Sequence, residues 1–283
     1  MNSCLETFTF RGDAVRFRAE GSGPPLVLLH NGGTSHRIWD AQMAALSKDH
    51  SCFALDLPGF GDSDRPPGGG TMTAMVAMLE AFTTRHCAGG PIDIVGNCMG
   101  SALALTFAQR HPARVRKLVL FNVLTRDTLA AGVLGHLVRG ITFSEHLCHL
   151  VDGPLGAIPT PSMLKGTVLG LQADTDKLPS ELVEHLGQLT VRPGQNAALM
   201  DVVADLDAYA AVDRWGKGQI DPRVLVIWGA DGRILPCRQG EALCGRLGVE
   251  PRIVSGGHLV MAENPDTTTA LIADFLAIGE CDA

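Results

Sequence analysis

Short, mainly apolar runs recur along the chain at 26–29, 52–55, 92–95, 118–121, 224–227 and 252–254. They show no regular polar alternation, so strands built from them must be buried on both faces, as in a mostly parallel sheet covered by helices. Most gaps between them hold apolar residues at helical spacing, notably 73–86, 102–110 and 267–277. Strand alternating with helix predicts an α/β fold with a doubly wound sheet. The opening differs. Residues 6–10 and 14–18 alternate in polarity around Gly12-Asp13, which predicts an antiparallel hairpin ahead of the parallel strands.

Between 123 and 218 the alternation lapses into leucine-rich, helical sequence. The expected organisation is a core formed by 1–122 and 219–283, with 123–218 a helical cap inserted between two sheet strands. An insertion of that size commonly covers a site. Its leucines and valines, with few aromatics, suggest a largely aliphatic acyl ligand. At 283 residues, 46% hydrophobic and 19% charged, one domain with an insertion fits better than two independent ones.

The net charge of −7 gives no reason to expect nucleic acid or an anionic membrane as a partner. No uninterrupted apolar run approaches the roughly 20 residues of a spanning helix. Residues 1–11 include Glu6 and lack a basic start followed by an apolar stretch, so no signal peptide is expected. Eight scattered cysteines without a C-x-x-C pair suit a reducing, cytoplasmic setting. His146, Cys148 and His149 superficially suggest a metal site, but no second ligand set follows. No metal or cofactor is expected.

Gly96-Asn97-Cys98-Met99-Gly100 joins one apolar run to a helical stretch. A strand reversing sharply into a helix strains its central residue, and flanking glycines allow close packing. Cys98 should project from the tip, where the helix N-terminus favours thiolate and lowers a free-cysteine pKa of about 8.5. That arrangement suits nucleophilic acyl chemistry.

Three further stretches accompany it: His30-Asn31-Gly32-Gly33, Asp56-Leu57-Pro58-Gly59-Phe60-Gly61-Asp62-Ser63, and Gly256-Gly257-His258 before Met261-Ala262-Glu263-Asn264-Pro265. Together they resemble the α/β-hydrolase family across nearly the whole chain. The resemblance implies the order nucleophile, acid, histidine, with His258 as general base. It also implies an oxyanion hole formed by the backbone amides of Met99 and Gly32, with Gly33 the alternative. The acid departs from pattern. In Trp228-Gly229-Ala230-Asp231-Gly232 the family's aspartate slot holds Gly232, so Asp231 is the favoured third member and Asn122 the alternative. Most relatives have serine where this chain has Cys98. Dienelactone hydrolases and polyhydroxyalkanoate synthases carry cysteine, but their boxes continue with glycine where this chain has Ser101.

The leading expectation is a cysteine-dependent acyl hydrolase, a thioesterase or esterase that forms an acyl-cysteine. Its partner would be a small-molecule acyl ester or thioester, which a carrier could present. Two alternatives stand beside it: an acyltransferase or cyclising or condensing enzyme using the same intermediate, and a non-catalytic ligand-binding relative.

Overall fold

The computed structural model describes residues 5–88, 90–135 and 165–278. His146, Cys148 and His149 lie outside them. Among the described residues there are eight strands: β1 (Glu6–Phe10), β2 (Asp13–Glu20), β3 (Pro25–Leu29), β4 (Ser51–Leu55), β5 (Ile92–Asn97), β6 (Val115–Phe121), β7 (Arg223–Gly229) and β8 (Pro251–Val254). They form one sheet in the order β1-β2-β4-β3-β5-β6-β7-β8. The β1–β2 and β2–β4 pairs are antiparallel and the others parallel. The predicted hairpin and all six apolar runs are thus strands of this sheet.

Alternate residues of the central strands divide between two apolar clusters, one on each face. Val27 and Leu29, Leu118 and Leu120, and Val226 and Trp228 enter one. Leu26 and Leu28, Val119 and Phe121, and Ile227 enter the other. Each fully buried aliphatic side chain contributes roughly 1.5–3 kcal/mol relative to exposure. The uninterrupted apolar runs therefore reflect two covered faces rather than one.

The covering helices, numbered along the described residues, are α1 (Asp40–Leu46), α2 (Met72–His86), α3 (Met99–Arg110), α4 (Arg126–Ala131), α5 (Lys165–Gln172), α6 (Ser180–Thr190), α7 (Gln195–Ala204), α8 (Leu206–Asp213), α9 (Cys237–Leu247), α10 (Val260–Glu263) and α11 (Pro265–Ala277). Sequence periodicity missed α1 and α9. The first is only seven residues long. The second buries Gly240, Leu243, Cys244 and Leu247 beneath an otherwise polar surface. No described helix is long and apolar enough to cross a membrane.

Helices α4 to α8 lie between β6 and β7 and are tied to the loops that follow β3 and β4. The Ser35 hydroxyl and His185 Nε2 of α6 are 2.8 Å apart. Arg65 makes a two-pronged pair with Asp201 of α7, at 2.8 and 2.6 Å. Arg192 donates to the Gly61 carbonyl and to Asp62.

Candidate active site

Cys98 occupies the single-residue turn between β5 and α3, with φ +53° and ψ −108°. A non-glycine residue there costs about 1–3 kcal/mol, so its surroundings must hold it in place. Its amide donates to the Phe121 carbonyl at 2.9 Å, and its own carbonyl accepts from Ala102 at 3.1 Å and Leu124 at 3.3 Å. Ser101 puts its hydroxyl 2.7 Å from the Gly96 oxygen and 2.8 Å from that of Phe121. The glycines are steric necessities. A Cβ on Gly96 would lie 2.5 Å from the Gly100 oxygen, and one on Gly100 would lie 2.2 Å from the Leu29 oxygen.

Burial pushes the Cys98 thiol up to about 12, against the opposing hydrogen bond from the Met99 amide. Burial likewise holds His258 down at about 4. The resting pair is therefore a neutral thiol and a neutral imidazole. The expectation of a lowered thiol pKa is thus corrected: desolvation of a closed site outweighs the helix N-terminus.

Four strand ends and the histidine loop are stitched together by buried asparagines. Gly229 N–H donates to Asn122 Oδ1 at 3.0 Å, which fixes that amide's orientation. Asn122 Nδ2 then faces Asn97 Oδ1 at 3.2 Å and the His258 main-chain oxygen at 3.1 Å. Asn97 Nδ2 donates to that same oxygen at 3.2 Å and to Asn31 Oδ1 at 3.2 Å. The residue before Cys98 thus anchors the backbone of His258, 161 positions away in sequence.

The imidazole itself is less supported. Its Nδ1 is buried and has no hydrogen-bond partner among the described residues. Asn122 meets the His258 backbone, not the ring. Asp231 donates its amide to the Gly256 oxygen at 2.9 Å, while its side chain is exposed. Its carboxylate acts on Lys177 and lines a cavity of about 520 Å3 shared with Gln172, Arg233, Gly257 and Glu263. Gly232 lies in a constrained loop: Trp228 Nε1 donates to the Leu235 oxygen at 3.0 Å, and a Cβ on Gly232 would approach that oxygen to 2.9 Å.

The family resemblance gave Gly32, with Gly33 the alternative, as an oxyanion candidate, and both lie in the turn after β3. His30 builds that turn. Its Nδ1 donates to the Asn31 oxygen at 2.7 Å and its Nε2 accepts from Leu57 N at 2.9 Å, so the ring is neutral with the proton on Nδ1. Burial, opposed by Asp56 and the Asn31 oxygen and reinforced by His36, holds it at about 4. Asp56 is equally structural. It accepts from the His36 amide at 2.7 Å, the His36 ring at 2.8 Å and Asp62 N at 2.9 Å. Burial pushes its carboxyl up, but the His36 hydrogen bond and nearby imidazole charge bring it below the usual range.

Three residues near the site escaped sequence reading. Gln172 places Nε2 3.2 Å from where a Gly33 Cβ would stand, and its carbonyl accepts from Leu259 N at 3.2 Å. Glu263 accepts from Gly257 N at 2.9 Å through Oε2, with Oε1 buried and unpartnered among the described residues. Tyr209 of α8 is fully buried in the same apolar cluster as Cys98. Only Glu263, within a quoted stretch, had any local signal. Among the described residues no group of three or more His, Cys, Asp or Glu could hold a metal ion.

The structure thus buries the Cys98 thiol at a strained strand-to-helix turn with the Met99 amide at its sulfur, and holds His258 by its main chain through Asn97 and Asn122. Residues 24–138 match the family model for the alpha/beta hydrolase fold. The chain is 29% identical over 272 residues to a 2-hydroxy-6-oxo-2,4-heptadienoate hydrolase of Pseudomonas putida, covering 91% of this chain and 90% of that one. It is 29% identical over 262 residues to a pimeloyl-[acyl-carrier protein] methyl ester esterase of Neisseria meningitidis, covering 88% and 75%. A solved alpha/beta hydrolase fold protein from Burkholderia ambifaria superposes with a TM-score of 0.76 at 23% identity, covering 95% of this chain and 97% of that chain. A mostly parallel sheet with this strand order, flanked by helices and with a strained strand-to-helix turn after β5, gives the chain the α/β-hydrolase fold.

Proposed function

We propose that the protein hydrolyses ester or thioester bonds of small acyl compounds, with Cys98 as nucleophile and His258 as base. The observation that carries this reading is the strained, positive-φ conformation of Cys98 at the N-terminus of α3, with the Met99 amide at its sulfur. Strain of this kind persists where a reactive side chain must be presented. The described helices α4 to α8, between β6 and β7, act as the cap over the site.

Because the resting pair is neutral, proton transfer accompanies attack. The sulfur bonds to the acyl carbon while its proton passes to His258, and the carbonyl oxygen gains negative charge opposite the amides of Met99 and Gly32 or Gly33. Collapse expels the alcohol or thiol, which takes the proton from the imidazolium. Water then attacks the acyl-cysteine, giving its proton to His258, and the acid leaves as the thiol re-forms. The acyl-cysteine is itself a thioester, so loading from a thioester is nearly isoenergetic. The Neisseria relative supports an ester and a carrier-borne acyl group.

One observation favours a second reading, a non-catalytic ligand-binding protein: the Nδ1 of His258 has no described partner to stabilise an imidazolium. One experiment separates the two. Wild type mixed with short acyl thioesters is expected to turn over and to gain one acyl mass on Cys98, while Cys98→Ala does neither. Turnover without adduct, retained by Cys98→Ala, overturns the covalent scheme. Absence of both turnover and adduct favours binding alone.

A further inference from the structure

Tyr209 is the one tyrosine of the chain, against ten phenylalanines. It lies on α8 between Leu206 and Val212, all three turned into the cluster that contains Cys98, Met99 and Leu103. Helix α8 packs on α3, which begins beside Cys98, and on α4. The tyrosine is fully buried, yet its hydroxyl has no hydrogen-bond partner among the described residues. Buried tyrosine hydroxyls ordinarily find one. Phenylalanine would fill the same space without the cost of an unmet polar group. Burial, then the charges of Asp205 and Cys98, push its ionisation well above the ordinary value, so the hydroxyl keeps its proton and can only donate outward from the cluster that holds Cys98 if a ligand supplies an acceptor.

We infer that the Tyr209 hydroxyl donates a hydrogen bond to an oxygen substituent of the acyl group bound at Cys98. This deepens the acyl-hydrolase reading and rests on it. It also changes the substrate class expected from the leucine-rich insertion: the acyl chain carries a hydroxyl or keto oxygen near its scissile carbonyl and is not a plain hydrocarbon.

The test compares wild type with Tyr209→Phe on two matched thioesters, butanoyl and 3-hydroxybutanoyl. Wild type should favour the hydroxylated substrate. In Tyr209→Phe, kcat/KM should fall about 10-fold for the hydroxylated thioester alone, the scale of one hydrogen bond. Equal effects on both substrates, or none, overturn the assignment. Thermal unfolding is the second measurement. Losing an unpartnered hydroxyl should leave Tm unchanged or higher, and a marked fall would mean that the hydroxyl serves the fold, which also overturns it. If neither thioester is turned over, the hydrolase reading fails by itself. Calorimetric binding of 3-hydroxybutanoate and butanoate to both proteins then decides Tyr209: selective weakening of the former by Tyr209→Phe supports the contact, and its absence overturns it.

Discussion

Asn122 Nδ2 donates to the main-chain oxygen of His258 at 3.1 Å, and Asn97 reaches the same oxygen at 3.2 Å, while the Nδ1 of that histidine stays without a described partner. The histidine is held by its backbone. A buried amide network of this kind is stabilising only when every member is satisfied.

Asn122→Ala should therefore damage both stability and activity. It removes the acceptor for Gly229 N–H and one of two donors to His258, leaving buried polar groups unpaired at about 1–3 kcal/mol each. Denaturant unfolding should show a lower midpoint, and hydrolysis should fall through kcat. Wild-type values for both would remove the network from the mechanism.

Gly100→Ala and Gly96→Ala should be among the most disruptive small changes in the molecule. The new Cβ would meet backbone oxygens at 2.2 and 2.5 Å, which no side-chain adjustment relieves. Overpacking of a rigid site costs typically 1–3 kcal/mol or more. Loss of soluble expression or a strongly lowered Tm is expected, and near-normal unfolding of either variant would contradict the turn's geometry.

Stability should fall on mild acidification. His30 and His258 titrate near 4 when folded, against 6.5 ordinarily. Above pH 6.5 both are neutral folded or unfolded and contribute no pH dependence. Between pH 6.5 and 4 the unfolded chain takes up protons that the folded protein refuses, a loss of about 3 kcal/mol for each. His86 and His185, both lowered first by burial, act in the same direction. Urea midpoints measured from pH 8 to 5 should drop below pH 6.5. A flat profile would count against two buried neutral imidazoles.

Gly232→Asp puts a carboxylate in the slot where relatives carry their acid. The new Cβ would approach the Leu235 oxygen to 2.9 Å, so the loop must give and some stability is lost. If the carboxylate reaches His258 Nδ1, the imidazole pKa rises from about 4 and hydrolysis speeds up by about 10-fold. NMR titration of the histidines and kcat as a function of pH would read both. An unmoved His258 signal would show that Nδ1 does not face this loop.

The strands, the hairpin and the strand-to-helix turn at Cys98 were legible in the sequence because they depend on local requirements: doubly buried strands need unbroken apolar runs, and a strained turn needs glycines on either side. The family resemblance marked the stretches that hold His30 and Asp56, and in the fold each of these residues ties one loop to another through buried hydrogen bonds. Charge and contact across the site were decided only in three dimensions. Helix α3 alone would favour a thiolate, but the depth of the surrounding apolar cluster reverses the sign. Spacing near Trp228 put Asp231 within a residue of the acid slot, and in the fold that residue is exposed on a cavity it shares with Lys177, Gly257 and Glu263. Tyr209 carries no motif at all. Its place in the apolar cluster that also holds Cys98 follows from α8 folding back onto α3, a helix distant from it in the sequence. Local sequence specifies backbone conformation, whereas burial and long-range contact determine which atoms are charged, paired or left waiting for a ligand.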